Sequence, residues 1–184
     1  MRSFFVTVGM GDPLRFFVAL RNGLSSGFIA TNSSKRSIVL DLQSVGGKEV
    51  LNDLVQWADV LVENFRPGVM AKFGFDYETC RDLNPELIYT SINGFGDEGP
   101  HVERRVYDYV IQGITGMAAA QADPVTGEPE LVRTLIFDKV TAITACQAIT
   151  AALFARERGS GGQHIRVPML NAALAFLWPD GMIG

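Results

Sequence analysis

Residues 37–92, SIVLDLQSVGGKEVLNDLVQWADVLVENFRPGVMAKFGFDYETCRDLNPELIYTSI, decide the fold. Residues 37–42 alternate apolar side chains with two polar ones and read as a strand. Across 46–57, Val50, Leu51, Leu54 and Val55 recur at helical spacing and predict an amphipathic helix. Residues 58–62 (ADVLV) form a short apolar run, read as a buried strand that Arg66-Pro67-Gly68 ends in a turn. A helix is expected over 69–73, and another from Tyr77 to just before Asn84-Pro85. Residues 87–92 give the next strand. Strand, helix, strand, helix, strand implies an α/β fold, a parallel sheet flanked by helices.

Working outward, residues 94–105 form a polar, Gly-rich loop, and 107–120 read as one helix. Residues 123–133 are a loop. Residues 139–158 are the clearest helix, with Val140, Ile143, Gln147, Ile149, Leu153 and Phe154 near one stripe. The Gly run at 159–162 breaks it, and a short strand (164–167) and a small-residue helix (170–178) follow.

Composition narrows the class. The chain has 184 residues, 47% of them apolar and 20% charged, as in a globular domain with a real core. A net charge of −4 argues against nucleic acid as the main partner, because neutralising phosphates needs a basic face. Cys80 and Cys146 are far apart, and with His101 and His164 they make no metal-ligand pattern, so the thiols read as reduced and no metal site is expected. Residues 1–10 hold a short apolar stretch, but Gly11-Asp12-Pro13 is a poor cleavage region. No apolar run is read as long enough for a membrane span. The expectation is a cytoplasmic protein with neither nucleic acid nor membrane as partner.

Three features could carry chemistry. Residues 94–99 (GFGDEG) match G-x-G-x-x-G after a strand. A dinucleotide site, however, needs the last glycine to open a helix, and Pro100 follows instead while two acids sit inside the loop. Asp138 follows Leu135-Ile136-Phe137 and precedes the long helix. Its plain reading is an N-cap. The same position suits a partly desolvated carboxylate nucleophile, with the helix start keeping it ionised. Tyr107-Asp108 is a second acidic candidate, by itself an ordinary acid at a helix entry. The basic residues Lys35, Arg36, Arg66, Lys72, Arg104 and Arg105 read by default as solvated surface.

In order, these segments resemble the class III CoA-transferases, the CaiB/BaiF type. Gly11-Asp12-Pro13-Leu14-Arg15 is similar to the family's GDPxR element, and residues 34–42 (SKRSIVLDL) to its NKRS-x-x-LDL strand. Residues 58–68 (ADVLVENFRPG) are the most specific signature. Residues 84–89 (NPELIY) and 94–100 (GFGDEGP) follow at the expected spacing, and 156–163 (RERGSGGQ) resembles R-x-x-TG-x-GQ.

The resemblance implies a Rossmann-like α/β large domain and interlocked homodimers. It implies acyl-CoA and a small carboxylic acid as substrates, with no permanently bound cofactor. It assigns the CoA site to Leu40, Asp41, Leu42 and Gln43, to Asn64, Phe65 and Arg66, to Lys72, and to Arg104, Arg105, Tyr107 and Asp108. It makes Asp138 the catalytic carboxylate, which would pass through a mixed anhydride to an aspartyl-CoA thioester and return the acyl group to CoA on a new acid. Residues 1–184 would then be a partial large domain, without the family's first strand-helix unit and its C-terminal small domain. The missing part would include a glycine loop that binds the anhydride oxygens, so the chain alone is expected to be inactive or poorly folded. The alternatives are an α-methylacyl-CoA racemase, whose histidine would sit where Tyr107 stands, and a fragment that only binds CoA.

Overall fold

A computed structural model describes residues 3–7, 11–17 and 20–181. The chain divides into two compact units, residues 1–56 and 57–184.

In the first unit, β1 (Ser3–Thr7) pairs in parallel with β4 (Lys35–Val39). Between them lie a 3-10 turn (Pro13–Phe16), a two-residue hairpin of β2 (Leu20–Arg21) with β3 (Leu24–Ser25), and α1 (Ser26–Thr31). The GDPxR element is the 3-10 turn with its cap: the Asp12 carboxylate accepts from Leu14 N at 2.8 Å. Ser25 caps α1 through a 2.9 Å bond from Phe28 N. After β4 the backbone continues the ladder, with Leu40 N donating to Thr7 O, and α2 (Val45–Trp57) follows, burying Leu51 and Val55.

In the second unit, β5 (Val60–Glu63), β6 (Ile88–Asn93) and β7 (Gln163–Pro168) form a parallel sheet in that order. Helices α3 (Val69–Phe73) and α4 (Tyr77–Leu83) connect β5 to β6, as the periodicity requires. Then come α5 (Asp108–Ile114), α6 (Met117–Ala120), α7 (Ile136–Ala155), a π turn (Arg156–Ser160) and, after β7, α8 (Met169–Gly181). A core of Ile111, Phe137 and Ala173 joins α5, α7 and α8, with Phe95, Val106 and Met169 packed against it.

Several expectations need correcting. The strand read at 37–42 does not share a ladder with the next two: β4 pairs with β1, and β5 and β6 pair with each other and with β7. Hydrophobic pattern fixes that a strand forms but not its neighbour. The helix read over 107–120 is two helices, because Gly116 adopts φ 79°, a left-handed conformation that ends α5 and starts α6. The long helix starts three residues earlier than read, at Ile136. The helix plus π turn runs 25 residues and contains an 18-residue window of mean hydropathy 1.3, which meets the length and composition of a membrane span, contrary to the reading of the sequence. Here α7 buries Phe137, Thr141, Ala145 and Ala152 along one stripe and packs against β6, β7 and α8, as a core helix does.

The amino ends of the three-stranded sheet are stapled by residues of three of the motifs quoted above. Asn84 of NPELIY donates from Nδ2 to Ala58 O at 2.9 Å. Arg156 donates to Glu86 O and to the Asp59 carboxylate, both at 3.0 Å, with its side chain 14% exposed. Gly162 N donates to Pro85 O at 2.9 Å. These residues hold the sheet together, and its carboxyl ends are left for other work.

Candidate active site

The sharpest constellation lies where α5 meets the start of α7. Leu135 precedes α7 without a side-chain cap, so the first amides of the helix need an acceptor from elsewhere. Asp108 supplies it from α5. Its Oδ2 accepts from Phe137 N at 2.6 Å and from Asp138 N at 3.0 Å. Its Oδ1 accepts from Gln112 Nε2 at 2.6 Å. Asp108 is 2% exposed and Gln112 is fully buried. Gln112, one turn on from Asp108, clamps the loop before α7: its Oε1 accepts from Val132 N at 2.8 Å, and its Nε2 also reaches Thr134 O at 3.2 Å. Each polar atom of this buried pair is bonded, as burial demands.

Asp138 is therefore not the N-cap. It sits in the first turn of α7, and among the described residues none donates a hydrogen bond to its carboxylate. Its pKa lies above the ordinary carboxylate value, first through desolvation by its surroundings and second through the negative charge of Asp108, with Lys139 opposing. The residue as a whole is exposed, so the carboxyl group is at a surface lip, partly desolvated and open to an approaching molecule. The helix start does not hold Asp138 strongly ionised, as the sequence suggested, because Asp108 has already taken the two amides. A carboxylate with no partner and a raised pKa is more basic and less solvated than one tied to amides, and both properties favour nucleophilic attack.

Of the residues assigned to a CoA site, Tyr107 is 74% exposed beside the buried Asp108. Arg104 and Arg105 are exposed on the preceding loop. Asp108 itself faces inward, with both oxygens occupied by protein donors. Asn64, Phe65 and Arg66 form an exposed turn at the carboxyl end of β5, the edge where parallel sheets bind ligands. Val69 N donates to Arg66 O, and exposed Lys72 lies on α3 just beyond. In the first unit, Leu40 and Leu42 are buried, while Asp41 and Gln43 are exposed. The Asp41 carboxylate accepts from Gln43 N at 2.9 Å and shapes the loop after β4.

The G-x-G-x-x-G match is not a dinucleotide turn: after β6 no helix begins before Asp108. Gly94 is needed because a Cβ there would run into the Val106 side chain. The loop is tied by Asn93, which donates to Asp97 at 2.9 Å and accepts from Gly96 N at 2.7 Å, and by the Arg166–Asp97 ion pair at 3.1 Å. Two residues escaped the reading of the sequence. Gln112 left only the faint signal of a polar residue four after Asp108 on an otherwise apolar helix. Glu63 was visible at the strand end, and its carboxylate accepts from Phe65 N at 2.9 Å.

Comparison with known proteins places the chain in a family. The chain matches the family model for CoA-transferase family III over residues 7–183. It is 43% identical to succinate–glutarate CoA-transferase of Agrobacterium fabrum over 153 residues, 83% of this chain and 38% of that protein. It is 41% identical to acetyl-CoA:oxalate CoA-transferase of Acetobacter aceti, over 92% of this chain and 43% of that protein. Among solved structures, a CaiB/BaiF family protein from Brucella suis superimposes with a TM-score of 0.93 at 35% identity, covering 99% of this chain and 49% of that one. The chain thus spans about two fifths of the length of these curated relatives and half of that solved chain. Six motifs met in order, a matching fold and a match along nearly its whole length make this chain a member of CoA-transferase family III.

Proposed function

We propose that this chain is the part of a CoA-transferase that carries the covalent nucleophile, Asp138. The reading rests on one observation: Asp108 caps α7 in place of Asp138, leaving the Asp138 carboxylate without a partner and with a raised pKa. In the proposed cycle an Asp138 oxygen attacks the thioester carbon of an acyl-CoA, the C–S bond breaks, and a mixed anhydride forms with release of CoA thiolate. The thiolate attacks the aspartyl carbonyl and frees the donor acid, leaving an aspartyl-CoA thioester. The acceptor carboxylate attacks that thioester and expels the thiolate. Attack of the thiolate on the acceptor's acyl carbon then yields the new acyl-CoA and restores Asp138. The aspartyl thioester is close in energy to the thioesters it exchanges, so the overall transfer needs no ATP, metal or redox group.

The exposed turn at Asn64, Phe65 and Arg66, with Lys72, and the exposed Arg104, Arg105 and Tyr107, are the proposed CoA contacts of the second unit. Asp41 and Gln43, with the backbone of Leu40 and Leu42, are those of the first. The acceptor is a small carboxylic acid, of the class the relatives' names carry: oxalate, succinate or glutarate. The protein is proposed to work in the cytoplasm as a dimer of identical chains, which light scattering at a size-exclusion column would test.

Incubation with an acyl-CoA followed by hydroxylamine tests the chemistry. The expected outcome is a hydroxamate mass increment on the peptide bearing Asp138, absent without acyl-CoA. An unmodified Asp138 in a protein that exchanges CoA would refute the mechanism. A racemase would instead wash deuterium into the carbon next to the thioester without acyl exchange. Position 107, where a racemase would carry its histidine, holds a phenol, a weaker proton-transfer group than imidazole at neutral pH.

A further inference from the structure

A polar row, buried at Ser91 and open to solvent at Arg166, crosses one face of the three-stranded sheet in the second unit. Glu63, Ser91 and Arg166 are register partners on β5, β6 and β7. Successive side chains alternate faces, so Ser91 shares its face with Tyr89, and Arg166 shares its face with His164. Ser91 is 8% exposed, and its Oγ lies 2.9 Å from His164 Nε2. Ser91 is the register partner of Glu63, and its proximity holds the Glu63 pKa down against burial. His164 stacks on Tyr77 of α4, with ring centroids 4.5 Å apart, and meets Tyr89 edge-on. The outer end of the row is the Glu63 carboxylate, which accepts from Phe65 N at 2.9 Å.

A serine has one proton. If it goes to the Glu63 carboxylate, Ser91 Oγ accepts from His164 Nε2–H. In that tautomer His164 Nδ1 carries no proton, and the atom is buried without a hydrogen-bond partner. Burial and the Arg166 charge push the His164 pKa down, in keeping with that neutral ring, and burial is the main cause raising Glu63. A partly buried polar row on a sheet face costs desolvation that apolar residues would not. What it achieves here is local: it fixes a carboxylate at the one point where β5 must stop and turn.

We propose that Glu63 is a positioning residue for the acyl-CoA subsite, holding the turn at Asn64, Phe65 and Arg66 open toward ligand, with Ser91 and His164 fixing its rotamer. This rests on the functional reading above, which assigns that turn to CoA. Without an acceptor, the Phe65 amide is free to rotate out, and the Asn64 and Arg66 side chains lose their fixed exit from the strand.

The experiment compares the parent protein with Glu63→Ala and Glu63→Gln, using CoA in calorimetry and the Phe65 amide resonance by NMR. Gln keeps a carbonyl oxygen to accept from Phe65 N and an amide that Ser91 can meet. The expected result is CoA affinity weakened about tenfold or more in Glu63→Ala, the loss of one charge-assisted hydrogen bond and of the turn's order. In Glu63→Gln it stays within about threefold of the parent. The Phe65 amide shift should move in the Ala variant and stay near the parent value in the Gln variant. Equal affinities for parent and Glu63→Ala overturn the proposal, as does equal loss in both variants in proportion to lowered melting temperature. If the parent itself binds no CoA, the assignment of the turn fails first and takes this proposal with it.

Discussion

The entry to α7 and the exit from β5 solve the same problem at different range. At each, a carboxylate spends its acceptor capacity on backbone amides and so fixes its neighbours. Asp108 reaches the amides of Phe137 and Asp138, residues 29 and 30 positions away in the chain. Glu63 reaches an amide two residues on. The first arrangement exists only once α5 and α7 have packed around Ile111 and Phe137. The second can form as soon as the strand ends. Asp108 should therefore be tied to global stability, and Glu63 to local order.

The largest effect that would sharpen this contrast is on chemistry alone. Asp138→Ala should lower CoA exchange at least ~10³-fold, as removal of a covalent nucleophile does, while CoA affinity stays within a few-fold. A variant with parent-like exchange, measured by transfer of labelled CoA, would break the assignment of α7 as the reactive side.

Next comes Asp108→Ala, which strips the acceptor from three donors in a buried site: Gln112 Nε2 and the two helix amides. The expected cost is about 3 kcal/mol or more, read as a lower denaturant midpoint. A cost under about 1 kcal/mol would mean water replaces the carboxylate and the site is not buried in solution. Asp108→Asn should also shift the acid limb of Asp138-dependent exchange to lower pH, because a neighbouring negative charge that raises the Asp138 pKa is gone.

Gly94→Ala should cost about 1–3 kcal/mol, since the new methyl meets Val106, two residues before Asp108. Its effect should fall on the α7 entry and not on the β5 turn, a distinction the Phe65 and Asp138 amide resonances can read.

The smallest effect has the opposite sign. Asp138 has a folded pKa above its unfolded value, so between the two the native state binds more protons and stability falls as pH rises. At neutral pH the ionised carboxylate therefore opposes folding, and Asp138→Asn should raise the melting temperature by up to about 2 °C, a gain that fades below the carboxylate range. A lower melting temperature at pH 7 would show that Asp138 holds the helix after all.

Much of the second unit is legible residue by residue. The pattern gives Val69–Phe73 its observed bounds and the strands at 58–62 and 87–92 to within two residues, because alternation, periodicity and Asn84-Pro85 are local signals. The turn at Arg66-Pro67-Gly68 is local too. α7 starts three residues before the point that local signals indicate, for a definite reason: Leu135 cannot cap a helix and the nearest residue in sequence that could is Asp138, while the acceptor comes from α5. The partner of β4 was equally out of reach, since β1 lies about thirty residues earlier in the chain.

By itself the sequence determined which segments are strands and helices, where the β5 turn falls, and which ordered motifs mark the family. All of these depend on side chains within a few positions of one another. Tertiary structure alone decided which strands share a ladder, that Asp108 is consumed as a cap, and that Asp138 is left unpartnered with a raised pKa. Those outcomes depend on which distant donors a buried carboxylate must satisfy, and an acceptor has no direction along the chain until packing gives it one.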